Sequence, residues 1–191
     1  MFFLIMNDLP HMDNHIIPEC YIDTILIETL IPPKKTYNHQ KGCNKVTENA
    51  MQSDLLVDNF AVGILDKDKK LPKYLNEFKL LITEYNVELH KHPSRHHYVV
   101  LHPVIEKWLI SECQQVDLLL NDFDLPNNLD ELIKITKTTT SSNDSRFKLL
   151  FKALKKRNAT GITQLFEWTN YLINNPYNAD VTLLTQQGNL S

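Results

Sequence analysis

Two aspartates, Asp66 and Asp68, follow the apolar run Phe60-Ala-Val-Gly-Ile-Leu in the order Asp-Lys-Asp. Small and branched apolar residues bounded by charge read as a strand covered on both faces. Residues i and i+2 of an extended chain point the same way, so the two carboxylates converge. They do so at the carboxyl end of a strand, where open α/β sheets hold their ligands. Carboxylates held that close repel one another unless a proton or a cation lies between them, and Mg²⁺ or Mn²⁺ suits oxygen donors of this kind. The plainer alternative is a charge-rich turn that solvates the end of a strand. Glu19 ends a second short apolar run, Ile16-Ile-Pro-Glu, and joins the pair if the two strands are neighbours. In such a crevice Asp66 and Asp68 hold the metal, while Glu19 holds a metal or acts as general acid/base. Glu106, in the first turn of a helix opened by Pro103, is a further metal candidate; its alternative is a glutamate placed to suit the helix dipole.

Positive charge is local. Lys148, Lys152, Lys155 and Lys156 fall on one helical stripe, with Arg146 and Arg157 nearby. That stripe can follow a nucleic-acid backbone or simply solvate a helix. Phe147, Leu150, Phe151 and Leu154 fall on the opposite stripe and are expected in the core. Lys41, in the polar turn Asn38-His-Gln-Lys-Gly-Cys-Asn, is a further phosphate contact. His90, His92, His96 and His97 crowd a turn that reads as a hairpin tip or a phosphate-contacting rim, and they lack the cysteine or acid of a convincing zinc set. The turn over residues 38–44 places His39 near Cys43, a Cys–His pair that turn chemistry alone does not make catalytic.

The elements that must position these groups follow in order. A strand over residues 16–21 precedes a helix begun at Asp23 and stopped by Pro32-Pro33, a brief strand over 35–37 and a helix over 45–55. The strand over 60–66 comes next, then strands over 79–83, 86–90 and 97–101 and a helix from Pro103. The repeating strand–helix order predicts an α/β fold, a three-layer sandwich with a largely parallel central sheet over residues 14–116. A helical extension is expected over 117–175, reached past a Ser/Thr-rich stretch at 136–143, with loose termini at 1–13 and 176–191.

Composition narrows the classes. A net charge of −3 supplies no global basic field, and four glycines with no Gly-rich phosphate loop exclude a Walker or Rossmann nucleotide site. Three scattered cysteines form no CxxC pair, which fits reduced thiols and a cytoplasmic protein. Met1-Phe-Phe-Leu-Ile-Met is too short to span a bilayer, and no membrane segment is expected.

With Glu19-Cys-Tyr-Ile-Asp23, the glycine-containing turn His39-Gln-Lys-Gly-Cys-Asn44 and Asp66-Lys-Asp68 in this order, the chain resembles the TOPRIM domain of primases, topoisomerases and OLD-family nucleases. The resemblance covers about residues 15–110. It departs at Cys20, where the family usually has glycine, and at the turn, which has one glycine instead of several. It implies a Mg²⁺- or Mn²⁺-dependent phosphoryl transferase on nucleic acid, most simply a nuclease, with Glu106 helping to bind a second metal. The competing expectation is a non-catalytic TOPRIM-like module that acts with a partner such as an ATPase.

Overall fold

A computed structural model describes residues 14–32, 37–67, 71–138 and 143–186. The strands are β1 (Ile16–Pro18), β2 (Ala61–Asp66), β3 (Lys79–Glu84), β4 (Val87–Lys91) and β5 (His97–His102). The α-helices are α1 (Tyr21–Leu30), α2 (Ile105–Gln115), α3 (Leu129–Thr136), α4 (Ser145–Lys156), α5 (Thr160–Asn174) and α6 (Val181–Gln186). The strands form one five-stranded sheet in the order β1-β2-β5-β4-β3. β1, β2 and β5 run parallel, whereas β4 and β3 are antiparallel to their neighbours, so the sheet is mixed and parallel only in its first half. The chemistry of the β3–β4 turn explains the outer antiparallel pair. Tyr85 and Asn86 both adopt positive φ, 48° and 63°, and this two-residue primed turn joins antiparallel strands directly.

Pro18 is tolerated in β1 because of where its missing N–H points. β1 bonds β2 through His15 and Glu19, with Val62 N donating to His15 O and Glu19 N donating to Ile64 O. On the other side, Asn38 N donates to Ile16 O and Gln40 N to Pro18 O, each at 3.1 Å, so residues 37–40 run parallel to β1 as an outer segment. Proline therefore sacrifices a bond on the outer side only. Of the brief strand expected over 35–37, Tyr37 begins this segment, and Lys35 and Thr36 lie outside the described residues.

Strand alternation sorts the core into two faces. Val62, Ile64, Tyr98 and Val100 pack with apolar residues of α1, α2, α4 and α5. Ala61, Leu65, Val99 and Leu101 pack with Val46, Met51, Leu56, Tyr74 and Phe78 on the opposite face. That second cover is a π-helical turn at Lys45–Ala50 followed by irregular turns, where sequence periodicity suggests an α-helix over 45–55. A Cβ on Gly63 would stand 3.1 Å from Val46 Cγ1 and 3.4 Å from Met51 Sδ, so the absent side chain lets this segment sit directly on the sheet. The helices after residue 117 share the larger core: Phe147, Phe151 and Trp168 are fully buried with Ile22 and Val62. Thr136, expected to open a linker, closes α3 and is buried; residues 139–142 are outside the described set. Among the described residues no helix is long and apolar enough to cross a membrane.

Candidate metal centre and cleft

Every parallel strand ends in an ionisable residue. Glu19 follows β1, Asp66 closes β2 and His102 closes β5, and Asp66 and His102 are register partners. The strand period puts Asp66 and His102 on the face shared with Val62, Ile64, Tyr98 and Val100, beneath the start of α1. There α1 supplies Asp23. Cys20 and Asp23 cap the helix reciprocally, Asp23 N donating to Cys20 Sγ at 3.3 Å and Cys20 N donating to Asp23 Oδ2 at 3.2 Å. The cap occupies Oδ2 and leaves Oδ1 to face the sheet.

Asp23, Asp66 and His102 each offer one ligand atom, and these atoms lie within 4.8 Å of one another. Asp23 Oδ1 is 3.2 Å from His102 Nε2, and Asp66 Oδ1 is 3.4 Å from His102 Nδ1. His102 and Asp23 are fully buried, and the Asp66 side chain is 25% exposed, so access to the group runs past Asp66. His102 is clamped from two directions. Its ring stacks on Trp108 at 4.8 Å, and Nδ1–H donates to the Pro103 carbonyl at 2.8 Å. A carbonyl only accepts, so the neutral ring carries its lone pair on Nε2 and turns it towards Asp23. Asp23 Oδ1, Asp66 Oδ1 and His102 Nε2 are all buried, and their near neighbours of opposite charge are one another's residues.

The electrostatics match this crowding. Burial raises the Asp66 carboxyl to about 8; Asp23 and Glu19 add to the rise, and His102 opposes it. For His102 burial works the other way, yet the Asp23 and Asp66 carboxylates hold the imidazolium and lift it to about 9. A site that retains protons so strongly is short of positive charge, and a divalent cation would satisfy the same atoms. Two carboxylates and an imidazole can hold such an ion.

The sequence candidates divide on this geometry. Asp66 is at the centre. Glu19 is tied to it differently: its Oε2 accepts from Asp66 N at 3.2 Å, and burial followed by the Asp23 charge raises its carboxyl. Asp68 lies outside the described residues. Glu106 is buried, takes the Thr136 hydroxyl on Oε1 at 2.5 Å, and lines with Asp66 a cleft of about 370 Å³. Lys41, Tyr21, His39 and Lys137 also line that cleft. Asp23 and His102 are the additions. Asp23 reads in sequence as the residue that begins the helix, whereas Cys20 is the cap and Asp23 lies in the first turn; the strand expected over 97–101 stops one residue short of His102.

Other candidates have different partners. His90 pairs with Glu88, His92 with Glu77, and His97 lies between Tyr74 Oη and Leu56 O, each at 2.8 Å, so these imidazoles serve the hairpin and the second core. His39 Nδ1 bonds Thr24 Oγ1 at 2.9 Å. The Cys20 thiol is pushed up by burial and the nearby Asp23, and Cys113 by burial to about 12, which leaves both as poor nucleophiles. On α4, Phe147, Leu150, Phe151 and Leu154 are fully buried while Lys152 and Lys156 are exposed. Lys148 and Lys155 are half-buried, and Lys155 Nζ lies 3.0 Å from the centre of the Phe166 ring. The chain matches no model of a known protein family, no curated protein and no solved structure.

Proposed function

We propose that the cleft at the carboxyl ends of β1, β2 and β5 binds a divalent cation and hydrolyses phosphodiester bonds in nucleic acid, within a TOPRIM-like fold. The observation that carries this reading is the buried group Asp23, Asp66 and His102, whose ligand atoms lie within 4.8 Å of one another, beside an open cleft. Parallel adjacency of β1 and β2, with Glu19 and Asp66 at their ends, supports the TOPRIM-like reading. Asp66, Asp23 and His102 would hold the ion. Bound there, Mn²⁺ or Mg²⁺ supplies charge to a phosphate oxygen and lowers the pKa of water. The imidazole ligand favours Mn²⁺ over Mg²⁺, which prefers an all-oxygen shell. Glu19, beside Asp66 and with its carboxyl raised by burial, would take a proton from the attacking water and return one to the leaving oxygen. Lys41 and Lys137 line the same cleft and offer charge to the phosphate.

The test is Mn²⁺ titration by calorimetry alongside nicking of plasmid DNA and RNA cleavage. Wild type should bind Mn²⁺ and cleave, and Asp66→Asn should lose about 100-fold in both. Cleavage unchanged in Asp66→Asn would overturn the assignment. A second reading rests on one feature: His102 lies within ion-pair distance of both Asp23 and Asp66 and, as an imidazolium, balances them without a metal. In that case the domain is a non-catalytic module for a partner such as an ATPase, and Mn²⁺ produces no heat at the site.

A further inference from the structure

The cleft has a wall that metal chemistry does not need. Tyr21, the first residue of α1, and His39, from the segment beside β1, stack with ring centroids 4.5 Å apart and planes 11° apart, and both line the space that Asp66 closes. The pair is held in place from behind. Thr24 Oγ1 donates its one proton to Cys20 O at 2.8 Å, so it must accept from His39 Nδ1–H at 2.9 Å. That fixes the ring as the Nδ1–H tautomer, and burial lowers the His39 pKa, so the stack is neutral. Lys41 and Lys137 line the same cleft, both exposed, and among the described residues neither ammonium has a carboxylate within 4.0 Å. A neutral aromatic wall, two exposed ammonium groups and a volume of about 370 Å³ match one nucleotide: a base on the rings and its phosphate on the lysines.

We infer that the cleft takes an unpaired nucleotide, with its base on the Tyr21–His39 stack and its phosphate between Lys41 and Lys137, and that the substrate class is single-stranded nucleic acid. In a duplex the faces of a base are covered by its neighbours and its edge by its partner, so only an unpaired base can lie on an aromatic ring. The inference rests on the phosphodiester reading and names its substrate class.

Binding is measured by fluorescence anisotropy on the full chain, in EDTA so that nothing is cut. The probes are labelled oligo-dT and oligo-rU of roughly ten nucleotides, a duplex of equal length, and an abasic oligomer with the same phosphates. Either single strand should bind at least about 10-fold tighter than the duplex and the abasic chain. Tyr21→Ala should weaken it about 5- to 100-fold while Tyr21→Phe retains it. Equal affinity for the abasic chain or the duplex, or a Tyr21→Ala variant that binds like wild type, overturns the inference. Comparing dT with rU separates DNA from RNA within it. Mn²⁺ binding lost in Asp66→Asn with no single-strand preference sinks this inference alone. A single-strand preference without Mn²⁺ binding supports it and sinks the cation reading.

Discussion

At the residue scale, the group around His102 makes stability depend on pH in a definite direction. Asp66 is raised from 3.8 to about 8 and His102 from 6.5 to about 9. Both folded values exceed the unfolded ones, so the stabilisation from bound protons is present at low pH and lost as pH rises through the folded values. The metal-free protein should therefore lose thermal stability between about pH 6.5 and 9, where His102 titrates and Asp66 completes its own loss. Saturating Mn²⁺ should restore it, since the cation binds the deprotonated ligands. Melting curves across that window, with and without Mn²⁺, check both signs; a melting temperature that rises with pH in the absence of metal would contradict the assignment. Of this group, sequence order and strand ends exposed Asp66 and Glu19. Asp23 stayed hidden because its capping role with Cys20 already accounts for an aspartate there.

At the element scale, α5 begins without a cap of its own. The Ala159 side chain has no acceptor, and the carboxylate of Glu112 on α2 reaches across instead, with Oε2 taking Gly161 N at 3.0 Å and Ile162 N at 3.3 Å. Oε1 takes Trp108 Nε1 at 3.0 Å. Because the carboxylate is buried and charge-assisted, Glu112→Ala should cost about 2–4 kcal/mol in chemical denaturation. Gly161→Ala should also destabilise, since a Cβ there would meet Glu112 Oε1 at 2.5 Å. A linkage at the element scale runs the opposite way to that of the group around His102. His97 Nε2–H donates to Leu56 O, so Nδ1 must accept from Tyr74 Oη. Burial lowers the His97 pKa below 6.5, and this stabilisation is present above pH 6.5 and lost as pH falls through the folded value. His97→Gln should flatten the loss of stability on acidification below pH 6.5.

At the scale of the whole molecule, the helices after residue 117 and the sheet share one core, with Phe151 packed among the same buried residues as Ile22 and Val62. Phe151→Ala should cost about 3–5 kcal/mol and shift a single cooperative transition. Two separate transitions would instead show that 14–116 folds alone. Net charge is −3, so any hold on a nucleic-acid backbone must come from local patches. Charge reversal at the exposed Lys152 and Lys156 should reduce the salt dependence of binding if α4 joins the cleft, and leave it unchanged if α4 is a solvated face.

What the chain determines by itself is local. Apolar runs and turn chemistry place the strands from residue 60 to 102 within a residue or two, because such patterns report only their own neighbours. The apolar face of α4 follows from helical period in the same way. The tertiary structure decided what no period encodes: that β4 and β3 turn the sheet antiparallel, that Cys20 and Asp23 share one cap, and that Asp66 meets His102 and Asp23. The contacts of Asp66 with His102 and Asp23 join residues far apart in sequence, and their energy depends on burial and mutual charge, which exist only once the strands are side by side.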